Sequence, residues 1–476
     1  MIPDPSALTP PVRRKPLLAV LLAPLFMALI AVSVINVGLT AIGEGLEADS
    51  GELQWVISGY ALAFGMLLVP AGRAGDATGR RRMFIIGVGV FTLGSLLSGF
   101  APSAEMLNLA RILQGLGSGL LNPQTVALIQ QHFRGHDRAR AFALLATTVA
   151  VATAVGPVVG GALIQVIGPE WGWRWMFLMN APIGVLAIIG ALKYIPDDRA
   201  RGKTRPDLDP VGAILLCLAI LGIMLPFLER GVSALVWMSF PVGLLILGVW
   251  WVWERRYKRR GHSPMVDTAI FANQAFRNGI LIVAVYFLGV TSVWIIVPLY
   301  LQMHLGHTAF EASLMGVPSS IAAAISSQAL GKRVLTYGRR MVIVGFGVAF
   351  LGLAGTAAMT GFVESGMVAF WWLAAPLTLM GLSQGMTISP NQTLTLNSVD
   401  PRFGGVAGGI LQLGQRTGAA IGTAMIPGII FSLTEGGHAW LEAFIIALTI
   451  IMALTLAAMG VSFADRAREK AGKGAL

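Results

Sequence analysis

Two arginines stand where arginine is costly. Arg111 and Arg416 each lie well inside a long apolar run, and a guanidinium in hydrocarbon needs a polar cavity or a carbonyl partner. Such groups do not act as nucleophiles. Arg111 would face a polar cavity or be satisfied by backbone carbonyls; Arg416 would bind an anionic or polar group of a solute, gate against a facing segment, or cap carbonyls. Neutral hydrogen-bonding groups recur in comparable runs, at Asn36, Gln114, Asn122, Asn391, Gln412 and Gln415, and together with the two arginines they trace a candidate solute pathway. The enzymatic alternatives have no residues to work with. The chain contains no HExxH, GxSxG or P-loop pattern, so no catalytic centre, metal, cofactor or ATP-driven step is expected. Cys217, the single cysteine, lies in an apolar run and reads as a buried thiol without disulfide or metal role.

The elements that must position these groups follow from composition. Of 476 residues, 55% are hydrophobic and 12% charged, half the roughly 25% charged of ordinary soluble domains. The bilayer is therefore the expected solvent. Glycine (58) and proline (24) are abundant, as suits helices that pack closely and bend against neighbours. Crossing about 30 Å of hydrocarbon takes about 20 residues at about 1.5 Å each. Fourteen runs qualify, at about 17–42, 54–73, 83–102, 105–132, 141–167, 175–195, 210–228, 233–253, 278–302, 310–334, 341–360, 367–390, 404–432 and 440–463. The first run continues without a cleavage site, so it is expected to stay as a span.

Charge orients them. With the N-terminus in the cytoplasm, 30 of the 34 Lys and Arg fall inside, two outside (Arg174, Arg230) and two within spans. The net charge of +11 is thus explained by topology, and a nucleic-acid partner is not expected, because the basic clusters end spans and lack interleaved exposed aromatics. Trp55, Trp171, Trp173, Trp175, Trp250, Trp251 and Trp440 fall near predicted helix ends and are expected as interfacial anchors.

Two motifs repeat. Gly72-Arg73-Ala74-Gly75-Asp76-Ala77-Thr78-Gly79-Arg80-Arg81 matches Gly331-Lys332-Arg333-Val334-Leu335-Thr336-Tyr337-Gly338-Arg339-Arg340, and Gly115 to Pro123 matches Gly381 to Pro390 with one residue inserted. Both pairs fall after equivalent spans if the chain is six helices, two extra helices and six more. The expected architecture is all-α: a tail (1–16), a six-helix bundle (17–200), two inserted helices (201–260), a second six-helix bundle (261–465) and a tail (466–476), with a solute site between the bundles.

These motifs resemble the major facilitator superfamily, and within it the fourteen-helix drug:proton antiporter branch. Gly72 to Arg81 resembles the family's loop between helices 2 and 3. There Gly79 allows the tight turn, and Asp76 could face a helix N-terminus of the other half or pair with Arg138 or Arg140, forming a conformational latch with Gly72, Arg80 and Arg81. Leu335 replaces this acid in the second copy. Gln54 to Tyr60 also matches the branch. Arg111 to Gly115 resembles the RxxxG signature of helix 4, and Gly115 and Gly119 make a small-residue packing face. Gly156-Pro157-Val158-Val159-Gly160-Gly161 is similar to the antiporter signature of helix 5, where proline bends the helix, glycines admit a neighbour and the segment pivots. Trp173 to Pro182 resembles the opening of helix 6.

One departure matters. The branch carries an acid in helix 1, and alignment on Asn36-Val37 puts Ala31 in its place. No Asp, Glu or His falls clearly at mid-depth in any of the fourteen runs. Arginines without a central carboxylate favour anionic, zwitterionic or neutral amphiphiles over cations. The resemblance implies secondary active export of an amphiphilic small molecule from a monomer in the cell membrane, exchanged for protons. A facilitator or lipid-like-molecule translocator of the same fold without obligatory proton coupling, and a non-transporting sensor or scaffold, remain the alternatives.

Overall fold

The computed structural model describes residues 13–197, 207–229, 234–331 and 333–473. All regular structure among them is helical. In chain order the helices are α1 (Arg14–Ser33), α2 (Ile35–Leu46), α3 (Ser50–Thr78), α4 (Arg80–Gly99), α5 (Ala104–His132), α6 (Gly135–Ile167), α7 (Pro169–Leu178), α8 (Asn180–Tyr194) and α9 (Pro210–Leu228). They continue with α10 (Ser239–Arg259), α11 (Gln274–Leu299), α12 (Ala309–Leu314), α13 (Gly316–Gly331), α14 (Val334–Tyr337), α15 (Arg339–Glu364), α16 (Ala374–Asn397), α17 (Gly404–Glu435) and α18 (Trp440–Lys473). Among the described residues, eleven helical segments are long and apolar enough to cross a membrane.

Local signals explain some of the boundaries. Asp49 opens α3 with a reciprocal capping box, accepting from the Glu52 N–H at 2.8 Å while Glu52 accepts from the Asp49 N–H at 3.0 Å. Gly79, at φ +109°, breaks α3 from α4 in a conformation that L side chains avoid. Other boundaries differ from expectation. The run 17–42 is two helices meeting at Val34, where the Val37 N–H bonds only three residues back. The run expected from 175 starts at Pro169, a favourable first helical residue, and breaks at Met179. The run expected from 367 starts at Ala374, because Gly366 at φ +70° and a 3₁₀ turn over Phe370–Leu373 intervene.

The packing is bipartite. Helices α1 to α8 contact one another, α11 to α18 do likewise, and α9 pairs with α10 while leaning on α3 and α17. Arg80–Arg82, Arg134–Arg140, Arg255–Arg260 and Arg339–Arg340 gather at one end of the bundle, here called the arginine-rich face. The basic run Arg199 to Arg205 lies outside the described residues. One apolar cluster crosses between the two groups, bringing Val126 and Phe142 together with Leu396, Val406 and Ala407. Two others remain within one group each, around Trp173 and Phe177 in the first and around Phe346 and Phe444 in the second. Outer helices present Leu186, Leu244, Leu245 and Leu351 exposed, as lipid contact requires.

Candidate functional site

The two interior arginines are joined by aromatic rings. Arg111 is fully buried near the start of α5; its guanidinium lies 4.3 Å from the centroid of the Tyr60 ring. Tyr60 and Phe64, one turn apart on α3, have centroids 6.1 Å apart, and Arg416 of α17 lies 4.6 Å from the centroid of Phe64. The order Arg111, Tyr60, Phe64, Arg416 therefore runs from the first helical group into the second. Each cation rests on the negative face of a ring, which lets two positive charges occupy an interior with no acid nearby.

The surroundings of the two differ. Arg111 donates through Nε to the Val56 carbonyl at 2.8 Å and through Nη1 to Gln114 Oε1 at 2.5 Å. Gln114 passes the chain to Ser95 at 2.5 Å, which also accepts from Asn180 at 3.2 Å. This is the carbonyl-satisfied arrangement, so Arg111 orders its own bundle and holds Tyr60. Tyr60 is fixed further by a 2.6 Å hydrogen bond with Ser118. Arg416, Gln412 and Gln415 are only half-buried on α17, so Arg416 is the more accessible of the two cations.

The remaining amides divide. Asn122 donates to the Ser118 carbonyl of its own helix at 3.1 Å. Asn391 stands apart from this group: it accepts from Arg339 at 2.5 Å and donates to the Gly279 carbonyl at 2.9 Å, near the arginine-rich face. The side chain of Asn36 lies outside the described residues. Tyr60 closes the Gln54–Tyr60 stretch that resembles the branch, whereas Phe64 had no sequence signal beyond its spacing of four from Tyr60, a pattern that any packed helix shows. Trp173 is not an interfacial anchor, because it is fully buried with Arg174 against its ring at 4.3 Å; Trp250 is also buried, whereas Trp171 and Trp175 are exposed.

At the arginine-rich face the two groups are bound together. Gly72 of α3 and Gly405 of α17 touch backbone to backbone; a Cβ on Gly72 would stand 2.3 Å from the Gly405 carbonyl oxygen. Asp76 accepts from the Gly405 and Val406 N–H groups, each at 3.1 Å, at the positive N-terminus of α17. Its ion-pair partner is Arg80 at 2.7 Å, with both side chains under 10% exposed, and not Arg138 or Arg140. Arg80 also donates to the Pro401 carbonyl at 2.6 Å and to Gln131 at 2.9 Å. Arg138 crosses to Asn397 at 2.5 Å, and Gln130 to the Leu396 carbonyl at 2.7 Å. Arg140 is exposed, and Arg81 donates to the Leu192 carbonyl at 2.7 Å within its own group.

The Gly-Pro stretch of α6 meets the junction of α1 and α2. Gly156 leaves room for Ser33, whose hydroxyl donates to the Ala152 carbonyl at 3.1 Å, and Gly160 faces Val34. Pro157 removes one helical donor between them. Gly161 faces open space, so only the first two glycines admit a neighbour.

Apolar helices around an interior cation pair, with two packed groups bonded to each other at one end, define a multi-pass membrane carrier. A family model described as Major Facilitator Superfamily matches residues 21–423 and, in a second match, 280–475. The chain belongs to the Major Facilitator Superfamily and is a membrane-embedded secondary transporter, not an enzyme. It is 32% identical over 440 residues to a probable actinorhodin transporter of Streptomyces coelicolor, covering 90% of this chain and 75% of the relative. It is 29% identical over 427 residues to the multidrug resistance protein Stp of Mycobacterium tuberculosis, covering 88% and 75%. The crystal structure of the human organic anion transporter MFSD10 shares the fold with a TM-score of 0.67 at 12% identity, over 95% of this chain and all of that one.

Proposed function

We propose that this protein exports an amphiphilic or hydrophobic small molecule by alternating access, driven by the proton gradient. One observation carries the reading. Hydrogen bonds that join α1–α8 to α11–α18 gather toward the arginine-rich face, from Arg80 with Pro401 to Thr147 with Gln328. A carrier whose two bundles are bonded together at one end matches one of the two states that alternating access needs. Asp76, Gly72, Gly79, Arg80, Arg81, Arg138 and Arg140 form or flank the latch of that state, and Gly156, Pro157, Gly160 and Gly161 the pivot.

The topology we propose has fourteen passages, six in each bundle and α9 with α10 between. Its support is that α5, α13 and α16 are also membrane-directed helices, made less apolar or shorter by the polar residues they turn inward, such as Arg111, Ser327 and Gln392. The charge asymmetry supports a cytoplasmic arginine-rich face and cytoplasmic termini. The solute pathway is lined by Arg416, Gln412 and Gln415, with Arg111, Gln114 and Asn122 behind them and Asn36 as a further member, while Asn391, tied to Arg339 and Gly279, sits apart from it. Cations stacked on aromatic rings without an acid favour anionic, zwitterionic or neutral amphiphiles. The names of the relatives support a drug-like solute.

A second reading has its own support. All the acids of the described residues stand at helix ends or in connections, which favours a facilitator without obligatory proton coupling. Uptake of anionic, neutral and cationic amphiphiles into proteoliposomes, with and without an imposed pH gradient, separates the readings. Accumulation only under the gradient is expected. Equilibration unaffected by the gradient would replace export with facilitation, and no flux of any solute would leave a sensor or scaffold.

A further inference from the structure

The inserted helices contain two buried acids that face each other. Asp209, the N-cap of α9, is 0% exposed, and Glu254, in the last turns of α10, is 1% exposed. Each uses one carboxylate oxygen. Asp209 Oδ1 accepts from the Gly212 N–H at 2.9 Å and from the Trp253 indole at 3.0 Å, and Glu254 Oε2 from the Val266 N–H at 3.4 Å. The other two oxygens, Asp209 Oδ2 and Glu254 Oε1, are buried without a hydrogen-bond partner. They converge on one point: a Cβ on Gly212 would stand 2.4 Å from the first and 2.8 Å from the second. The two oxygens are therefore no farther apart than those distances laid end to end.

Among the described residues, the nearby charges are engaged elsewhere or exposed. Arg73 of α3 donates to the Asp207 carbonyl at 2.9 Å, and Lys258 of α10 to Asp267 at 2.7 Å. His262 lies 3.6 Å from the Asp207 carboxylate, which also accepts from Tyr257 at 2.8 Å. Arg255 and Arg256 are exposed. None of these groups is bonded to either free oxygen. Two ionised carboxylates facing each other away from water repel strongly, and the usual resolution is that one takes a proton and donates it to the other.

We propose that Asp209 and Glu254 form a carboxyl–carboxylate pair that binds one proton and thereby fastens the start of α9 to α10. Proton binding adds a hydrogen bond between Oδ2 and Oε1; its release leaves two adjacent anions. Glu254 also holds the segment 261–267 through the Val266 N–H, and that segment walls a cavity of about 460 Å³ together with Ser398, Asp400 and Phe403. Those residues belong to the connection between α16 and α17, whose carbonyls Arg80 grips. The proton site therefore adjoins the closed face without belonging to the solute pathway, and it stands whether or not transport is proton-driven.

The test uses the purified full-length protein in detergent, with Glu254→Gln and Asp209→Asn. Both variants keep the shape, asparagine is itself a good N-cap, and either amide can donate the hydrogen bond that the shared proton supplies. Infrared difference spectra across neutral pH are expected to show one protonated-carboxyl band in the wild type, lost in each variant. The folded protein then holds a proton that the unfolded chain has released at neutral pH, so wild-type thermal stability falls as pH rises, while Glu254→Gln flattens that slope. If Asp209→Asn fails to fold, Glu254→Gln alone decides. A wild type without the band, a band that survives in the variants, or a stability that follows sodium or potassium instead of pH would overturn the proposal.

Discussion

The Gly-Arg-Arg turn occurs at two corners of the arginine-rich face, and the two corners do different things. In the first, Arg80 pairs with Asp76, and both reach out of their bundle: Arg80 to the Pro401 carbonyl, Asp76 to the N–H groups of Gly405 and Val406. In the second, Arg339 pairs with Asp465 of α18 at 2.6 Å and donates to Asn391 and the Ala275 carbonyl, all within α11–α18. Asp465 also accepts from Asn278 at 2.9 Å. The same turn is a fastener between bundles in one half and a staple within a bundle in the other. What decides is the source of the acid. An acid on the preceding helix faces the partner bundle, whereas an acid on the last helix draws its arginine inward.

The largest effect is expected from breaking the first corner. Removing one partner of a buried ion pair costs about 3–5 kcal/mol, and Asp76→Ala also removes the acceptor that the Gly405 and Val406 N–H groups use across the interface. Asp76→Ala should therefore open that face. In a Cys217→Ser background with a cysteine introduced at Ser398, thiol labelling from that side should rise by at least about tenfold and transport should collapse, while the folded yield stays near normal. Unchanged labelling would mean that the first corner is a staple like the second.

Breaking the second corner should look different. Asp465→Asn keeps the shape but weakens charge-assisted hydrogen bonds worth about 1.5–3 kcal/mol. Thermal stability should drop, and labelling at the arginine-rich face should not change. A labelling increase like that of Asp76→Ala would erase the distinction. A smaller effect in the first direction is expected at Gln130, whose amide donates to the Leu396 carbonyl across the interface. Gln130→Ala removes about 1 kcal/mol, so labelling should rise by a few-fold at most, and an effect as large as that of Asp76→Ala would move the main fastener away from the ion pair.

Much of this was legible in the sequence, for reasons that also mark where legibility ends. The apolar runs and basic clusters report bilayer physics, which acts residue by residue, so the course of the helices and the arginine-rich face follow from counting. Asp76 before Gly79 could be read as facing a helix N-terminus, since an acid beside a tight turn projects beyond its own helix. Its true cation, Arg80, is four residues away and was masked by the equally basic Arg138 and Arg140. Asp465 was invisible as a partner of Arg339, because no spacing links residues 126 apart. Asn391 and Gln412 are both buried-run amides, and only coordinates separate one that ties Arg339 to Gly279 from one beside Arg416. Asp209 and Glu254 were passed over because each lies at the end of its run, where an acid is ordinarily solvated.

The second corner can be given the acid it lacks. Leu335 occupies the position of Asp76, four residues before Arg339, and is 36% exposed. If spacing alone created the fastener, Leu335→Asp would pair with Arg339 and restore a protein weakened by Asp465→Asn. The geometry predicts otherwise. Arg339 is buried and directed inward by Asp465 and Asn391, whereas residue 335 lies on the short helix α14 with its side chain partly in solvent. Alone, Leu335→Asp should change stability by no more than about 0.5 kcal/mol, as surface substitutions do, and in the double variant it should leave the thermal loss of Asp465→Asn in place. Recovery of that loss would show that Arg339 can turn outward, and that the difference between the two corners lies in one side chain instead of in the helices that flank it.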